Sequence, residues 1–506
     1  MYVWFYVLNH SKYRFLFHAV YIGIMNGIRK PTFHAARYNR LKYLGSDVRS
    51  RPLQSAPRVC FGARTVVILH RERPALGGRS GGFSKFLQKI LRVKILYLPA
   101  YFYPEQAASA YLSDNRNQAF ADAGFDMVVY TPVPTRGISI EERKKYKHRK
   151  ADSMYGGRMI VYRFSLMREG GGPIVRALRY SLSCIRQFYW GCFAQEARQC
   201  DVMFISSTPP IQGAMAALIK KIRRIPLVYS LQDIFPDSLV GTGMAKKGGA
   251  LWKVGRMIED FTYRNADRII VISEDFKRNI MAKGVPESKI EVIYNWVDET
   301  AIIPIPRNEN PLFAEFGLDQ NKFYVVYAGN LGSAQNIDIL LEAANLLHDN
   351  SDIQFLVFGA EKQAEPYITK AKHMQLSNLK FLPLQPYEKV SCVYSLGDVA
   401  VVSCKQGFGD IAMPSKTWSI MSAGTAVLAS FDRGTDMQYI IEKNRLGVFT
   451  EAENIQEFVK AVHILYSNPE ECVQMGKRGR CYILEHLTRE VGTRKYIGVI
   501  ESIVGH

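Results

Sequence analysis

Hydrophobic and polar positions show no sustained period before Val93 and a repeating one after it. Val93–Leu98 (VKILYL) is a short apolar run with β-branched residues, which predicts a buried strand. A loop, Pro99–Ala108, leads to apolar residues at helical spacing over Tyr111–Asp122, with Gly124 where a helix stops. Met127–Thr131 (MVVYT) is the next strand. Strand, helix and strand in this order form the unit of a parallel sheet. The unit recurs through strands Val202–Ser206, Leu227–Leu231, Arg268–Ser273 and Ile290–Ile293, with helices over Pro210–Arg223 and up to Lys283. The proline-rich stretch Ile302–Pro311 (IIPIPRNENP) breaks the period, and the plan restarts. Strands are then expected at Phe323–Ala328, Ile353–Phe358, Leu379–Leu382, Asp398–Ser403, Ala426–Ala429 and Gly447–Phe449, with a helix over Asn336–Leu347. The fold class is α/β: two doubly wound, Rossmann-like domains that hold a ligand between the carboxyl ends of their strands. The expected divisions are 1–92, a basic extension; 93–305, the first domain; 306–485, the second; and 486–506, a terminal helix.

Charge sets the first 92 residues apart. They hold 17 Lys and Arg against Asp47 and Glu72, so +15 of the chain's +20 lies there and the remainder is nearly balanced. This distribution argues against nucleic acid as a partner. The segment contains no apolar run of the ~20 residues a membrane span requires. A disordered basic arm, an Arg-rich transit peptide and non-native sequence ahead of the true start all fit it. The eight cysteines show neither CxxC spacing nor a disulfide framework, which points to reduced thiols.

The first strand is followed by PAYFYPEQAAS, without the glycines of a dinucleotide fingerprint. Gly329-Asn330-Leu331-Gly332 follows the first strand of the second domain, where glycines let a ligand approach the backbone. Pro414-Ser415-Lys416 opens an apolar helix after the strand Asp398–Ser403. A lysine there opposes the helix dipole, and a bound anion would resolve the conflict. The two loops are placed to hold a diphosphate from both sides. Pro173–Phe193 spaces Leu178, Leu182, Ile185, Tyr189 and Phe193 along one helix face, flanked by Arg176, Arg179 and Arg186. That face fits either a protein core or a lipid interface.

Several stretches carry a family resemblance: FYPE at Phe102–Glu105, SSTPP at Ser206–Pro210, LQDIFPDS at Leu231–Ser238, VIYNWVD at Val292–Asp298, YAGNLGSAQN at Tyr327–Asn336 and PSKTWSIMSAG at Pro414–Gly424. From Val93 onward the chain resembles the family 4 retaining glycosyltransferases of GT-B fold, in the WbuB and colanic-acid-type branch that builds bacterial surface polysaccharides. The resemblance implies a nucleotide-sugar donor, a lipid-linked saccharide acceptor and a cytoplasmic protein bound peripherally to the inner membrane. No cofactor and no metal are implied. Lys416 and Gly332 would contact the donor diphosphate, with Ser415, Asn330 and Gln335 beside them. Asp233 would lie near the transferred sugar, so the catalytic assignments are Lys416 and Asp233. Glu105 and Gln232 would lie on the acceptor side. Many family members carry two glutamates eight apart where this chain has Ile411 and Ser419, and a basic residue where it has Gln335. A nucleotide-sugar epimerase and a non-catalytic scaffold subunit of the same fold are the alternatives.

Overall fold

The computed structural model describes residues 92–505, apart from 106–109, 148–150, 170–171 and 242–244. Ahead of residue 92 it describes only two antiparallel strand pairs, Tyr2–Leu8 with Phe15–Tyr21 and Val59–Cys60 with Val66–Val67. The remainder of the basic extension lies outside the described residues.

The first sheet has eight strands: β1 (Lys94–Tyr97), β2 (Asp126–Pro132), β3 (Asp152–Met154), β4 (Met159–Phe164), β5 (Val202–Ser206), β6 (Leu227–Leu231), β7 (Arg268–Val271) and β8 (Ile290–Val292). Their spatial order is β8-β7-β6-β5-β1-β2-β4-β3. All neighbours are parallel except β3, which runs antiparallel to β4 at the edge. The second sheet is wholly parallel, in the order β11-β10-β9-β12-β13-β14. It comprises β9 (Phe323–Ala328), β10 (Ile353–Gly359), β11 (Leu379–Pro383), β12 (Val399–Ser403), β13 (Ala426–Phe431) and β14 (Gly447–Glu451). Central strands such as β6, β9 and β12 are buried at every position, as a sheet covered on both faces requires. The doubly wound pair of sheets is as expected; the hairpin of β3 with β4, which widens the first sheet, was not read from the sequence.

The helices that position the site are α1 (Ala110–Asp122), α2 (Pro173–Phe193), α3 (Ile211–Arg223), α4 (Ala250–Asn265), α5 (Glu274–Ala282), α6 (Asp338–Leu346), α7 (Lys416–Ser422), α8 (Asp436–Lys443) and α9 (Arg489–Val504). α2, α3 and α4 pack side by side on one face of the first sheet. The proline stretch is fastened to the second domain: Ile303 N and Ile305 N donate to Ser391 Oγ and Ser395 Oγ, both at 3.1 Å. α9 returns to the first domain, packs on α1, and places Tyr496, Val499 and Ile500 in a core shared with Phe120, Phe204 and Trp296.

The two sheets meet through loops at the carboxyl ends of their strands. Phe408, Ile411 and Met413, which follow β12, join the apolar core of the first domain. Residues just past β7 touch residues just past β13. A parallel doubly wound sheet binds ligands at this end.

Candidate active site between the domains

The loop after β9 is shaped by its glycines. Gly329 has φ +130°, a backbone conformation that favours glycine, and a Cβ there would lie 3.3 Å from Lys416 Nζ. At Gly332 a Cβ would come within 2.9 Å of Asn330 Nδ2 and 3.0 Å of Gln335 Oε1. These two side chains hydrogen bond over the glycine, Asn330 Nδ2 donating to Gln335 Oε1 at 3.2 Å. Gln363 braces the loop from β10's side, donating to Asn330 Oδ1 at 2.9 Å and accepting from Leu331 N at 3.3 Å. The Tyr327 hydroxyl donates to Asn330 O at 2.7 Å. Gly332, Asn330 and Gln335 thus form one braced unit; the bracing partners Tyr327 and Gln363 were not singled out from the sequence.

Lys416 comes from the other side, at the start of α7, with Ser415 exposed just before it. Its stem is partly exposed, but Nζ is buried and has no hydrogen-bond partner. The ammonium lies 3.8 Å from the centroid of the Tyr327 ring, a cation–π contact. Burial lowers its pKa to about 7. α7 is only seven residues long, so the expected conflict with a helix dipole is small, and the ring face serves the charge in its place. A buried amine without an acceptor stores a desolvation cost that an anionic ligand under the glycine loop would relieve.

In the first domain, Gln232 and Asp233 follow β6. The Gln232 side chain accepts from Asn295 Nδ2 at 3.0 Å and donates to Ser230 Oγ at 3.4 Å, while its backbone N donates to Ser207 Oγ at 3.0 Å. Asp233 is exposed by surface area and accepts from Ser238 Oγ at 3.2 Å, yet crowding around its carboxyl raises its pKa through desolvation. Glu105 is buried and committed to its own loop. Its Oε1 accepts from Thr135 N and Arg136 N at 2.7 and 3.0 Å, and its Oε2 from Phe102 N at 3.1 Å. It ties its own loop to the turn after β2.

Ile411, at one family glutamate position, is an apolar plug between the domains. Together with Phe408 it closes on Gly241, where a Cβ would lie 3.2 Å from Ile411 and 2.9 Å from Phe408. Nearby, two aspartates cap each other's helices across the cleft. Asp436 Oδ2 accepts from Glu274 N at 3.0 Å, and Asp275 Oδ2 accepts from Asp436 N at 2.9 Å. Tyr294 donates to Asp436, and Arg278 bonds both Asp275 and the Gly434 carbonyl. Burial raises the Asp275 pKa to about 6. A cavity of about 730 Å³ opens beside this contact, with Glu274, Tyr294, Tyr439, Tyr482 and His486 in its wall. It lies apart from the Lys416 loop and holds none of the candidate catalytic or binding residues, though Tyr294 belongs to the VIYNWVD stretch.

Two family models match successive parts of the chain: residues 117–296 a glycosyl transferase 4-like domain, and residues 308–481 the group 1 glycosyl transferases. Each half of the chain thus resembles a glycosyltransferase domain, and the fold is GT-B. The chain is 26% identical over 282 residues to WbjE of Pseudomonas aeruginosa, named as a glycosyltransferase; the match covers 56% of this chain and 68% of WbjE. It is 26% identical over 249 residues to WcaI of Escherichia coli K12, whose name assigns it to colanic acid biosynthesis, over 48% of this chain and 61% of WcaI. The match therefore spans less than two thirds of WcaI. Among solved structures, HepE of Anabaena in complex with UDP superposes with a TM-score of 0.61 at 14% identity, covering 81% of this chain and all of HepE. That likeness establishes the fold.

Proposed function

We propose that this GT-B protein transfers a sugar, with retention of configuration, from a nucleotide-sugar to a lipid-linked saccharide in the assembly of a bacterial surface polysaccharide of the WbuB and colanic-acid type. The observation that carries this reading is the buried, unpartnered Lys416 Nζ beneath the Gly329 loop. A nucleoside diphosphate leaving group develops negative charge, and a preorganised cation in a dry site is the group that stabilises it. Ser415, Gly332 and the bridge of Asn330 with Gln335 would border the diphosphate. Asp233 and Gln232 would face the acceptor from the first domain. The likeness to WbjE and WcaI supports the substrate class.

The place of work would be the inner face of the plasma membrane. Among the described residues no helix is long and apolar enough to cross a membrane. The apolar row of α2 nevertheless faces outward: Ile174 is 82% exposed and Tyr189 60%, with Leu178, Ile185 and Phe193 more than half exposed. Leu218 and Ile222 on α3, and Leu251, Val254 and Met257 on α4, extend the exposed surface over neighbouring helices. Lys221, Arg224 and Lys253 lie on or beside the same helices. An apolar surface with basic neighbours suits an anionic bilayer.

The deciding experiment screens UDP-, GDP- and dTDP-sugars with a lipid-linked acceptor. Acceptor-dependent release of nucleoside diphosphate supports the transferase reading. Donor turnover without acceptor would make the protein an epimerase, and donor binding without turnover a scaffold. No metal is proposed, so EDTA is expected to leave the rate unchanged; a loss restored by magnesium or manganese would overturn that part.

A further inference from the structure

The rim of the first domain holds an arginine cluster, apart from the Lys416 loop. The segment after β4 passes close to α2, and three of its successive carbonyls are each held by a different arginine. Arg186 donates to Ser165 O, Arg143 to Leu166 O at 2.8 Å, and Arg179 to Met167 O at 3.3 Å. Arg179 is 1% exposed; its Nη2 donates to Thr135 Oγ1 at 3.1 Å, and its Nη1 is buried with no acceptor. Arg143 Nε is likewise buried and unpartnered. Arg136 and Arg179 each place a guanidinium 5.2 Å from the centroid of the Tyr101 ring. Arg168 is exposed, and it and Arg179 crowd Arg143 closely enough to lower its pKa further, after the larger effect of burial.

Acidic compensation is partial: the Glu105 charge favours the charged form of Arg143, but among the described residues no carboxylate oxygen bonds its guanidinium. Glu105 is saturated by backbone donors. Glu169 approaches Arg176 at 3.7 Å, and its Oε2 has no partner. Guanidinium N–H groups left without acceptors are costly, and planar forks of this kind match phosphate oxygens. The location adds a second constraint. Arg136 and Arg168 follow the carboxyl ends of β2 and β4, on the side of the sheet where Asp233 follows β6. α2, which supplies Arg179 and Arg186, also carries the exposed apolar row.

We propose that Arg143, Arg168 and Arg179, with Arg136 at their edge, form a phosphate-binding site between the apolar face of α2 and the cleft, and that it holds the phosphate joining the acceptor saccharide to its lipid. This rests on the lipid-linked acceptor reading above. An anionic lipid headgroup offers the same chemistry as the acceptor phosphate, and the experiment separates the two.

The first measurement is calorimetric titration of inorganic pyrophosphate into the full chain carrying Lys416→Met, which disables the donor phosphate site. One binding event is expected, weakened at least tenfold by adding Arg143→Gln and Arg168→Gln, and weakened less by Arg179→Lys, which keeps the charge and loses the fork. Thermal unfolding of each variant confirms that it folds. Unchanged pyrophosphate binding in folded glutamine variants would overturn the site, whether or not any transfer is ever observed. The second measurement compares an acceptor linked through pyrophosphate with the same saccharide on a neutral alkyl chain. Arg143→Gln with Arg168→Gln should raise KM about tenfold for the first and leave the second unchanged. If both acceptors are unaffected and binding to phosphatidylglycerol vesicles is lost, the site holds a headgroup, and the acceptor assignment is overturned.

Discussion

At the residue scale, Lys416 ties the chemistry to pH. Without donor its amine has a pKa of about 7, lowered by burial, so at pH 8 most molecules hold it neutral. A bound diphosphate favours the charged form and draws the pKa back up. Donor binding above pH 7 must then take up a proton, and affinity should fall as pH rises, by up to about tenfold per unit. Calorimetry at pH 8 in two buffers of different ionisation enthalpy should report an uptake close to one proton in the wild type and close to none in Lys416→Met. The same substitution is expected to lower kcat/KM by about 10²-fold or more, the typical effect of losing one charge-stabilising donor. For Asp233→Asn the expectation is different: transfer falls more than donor binding, because Asp233 stands on the first domain. Equal transfer by both proteins would reduce Asp233 to a partner of Ser238. The oddness of a lysine opening an apolar helix was legible in the sequence. Its solution by Tyr327 was not, because nothing in the one-dimensional pattern pairs the end of β9 with α7. Glu105 shows the same limit: the FYPE stretch marked it for the cleft, and the fold spends its carboxylate on backbone N–H groups.

At the scale of elements, apolar runs of five or six residues located the central strands closely, since strands buried on both faces have little alternation to confuse. Strand β4, next to the edge, escaped because Met159–Phe164 alternates buried and half-buried positions and carries Arg163. Helix α2 teaches a different lesson. Its spacing identified an apolar face correctly, but periodicity does not say what lies against a face, and here that face is turned away from the sheet. Replacing Ile185 and Tyr189 by glutamate should therefore cut co-sedimentation with anionic vesicles about tenfold or more. Thermal stability should stay within about 1–2 °C, since exposed positions seldom change stability by more than ~0.5 kcal/mol. A large loss of stability would show instead that the face is packed within the protein.

At the scale of the molecule, the paired aspartates couple the domains to pH. The Asp275 pKa, raised to about 6 mainly by burial, lies above its unfolded value. Its contribution to stability is therefore fully present below about pH 4 and lost as pH rises through 6. Asp275→Asn removes that titration, so its melting temperature should gain on the wild type between pH 5 and pH 7.5, by about 2–4 °C for each kcal/mol released. An unchanged difference across that range would mean that Arg278 and the Asp436 backbone compensate the charge fully.

The return of α9 has a consequence for the order of synthesis. Phe120, Phe204 and Trp296 share their core with Tyr496, Val499 and Ile500. Whatever the first domain forms on the ribosome, that layer stays open until the far end of the second domain has emerged. Nearly 200 residues separate Trp296 from Tyr496. At about 5–20 residues per second the delay is roughly 10–40 s. Through that interval the nascent first half exposes an apolar groove under α1, a surface for a holding chaperone to cover until α9 replaces it.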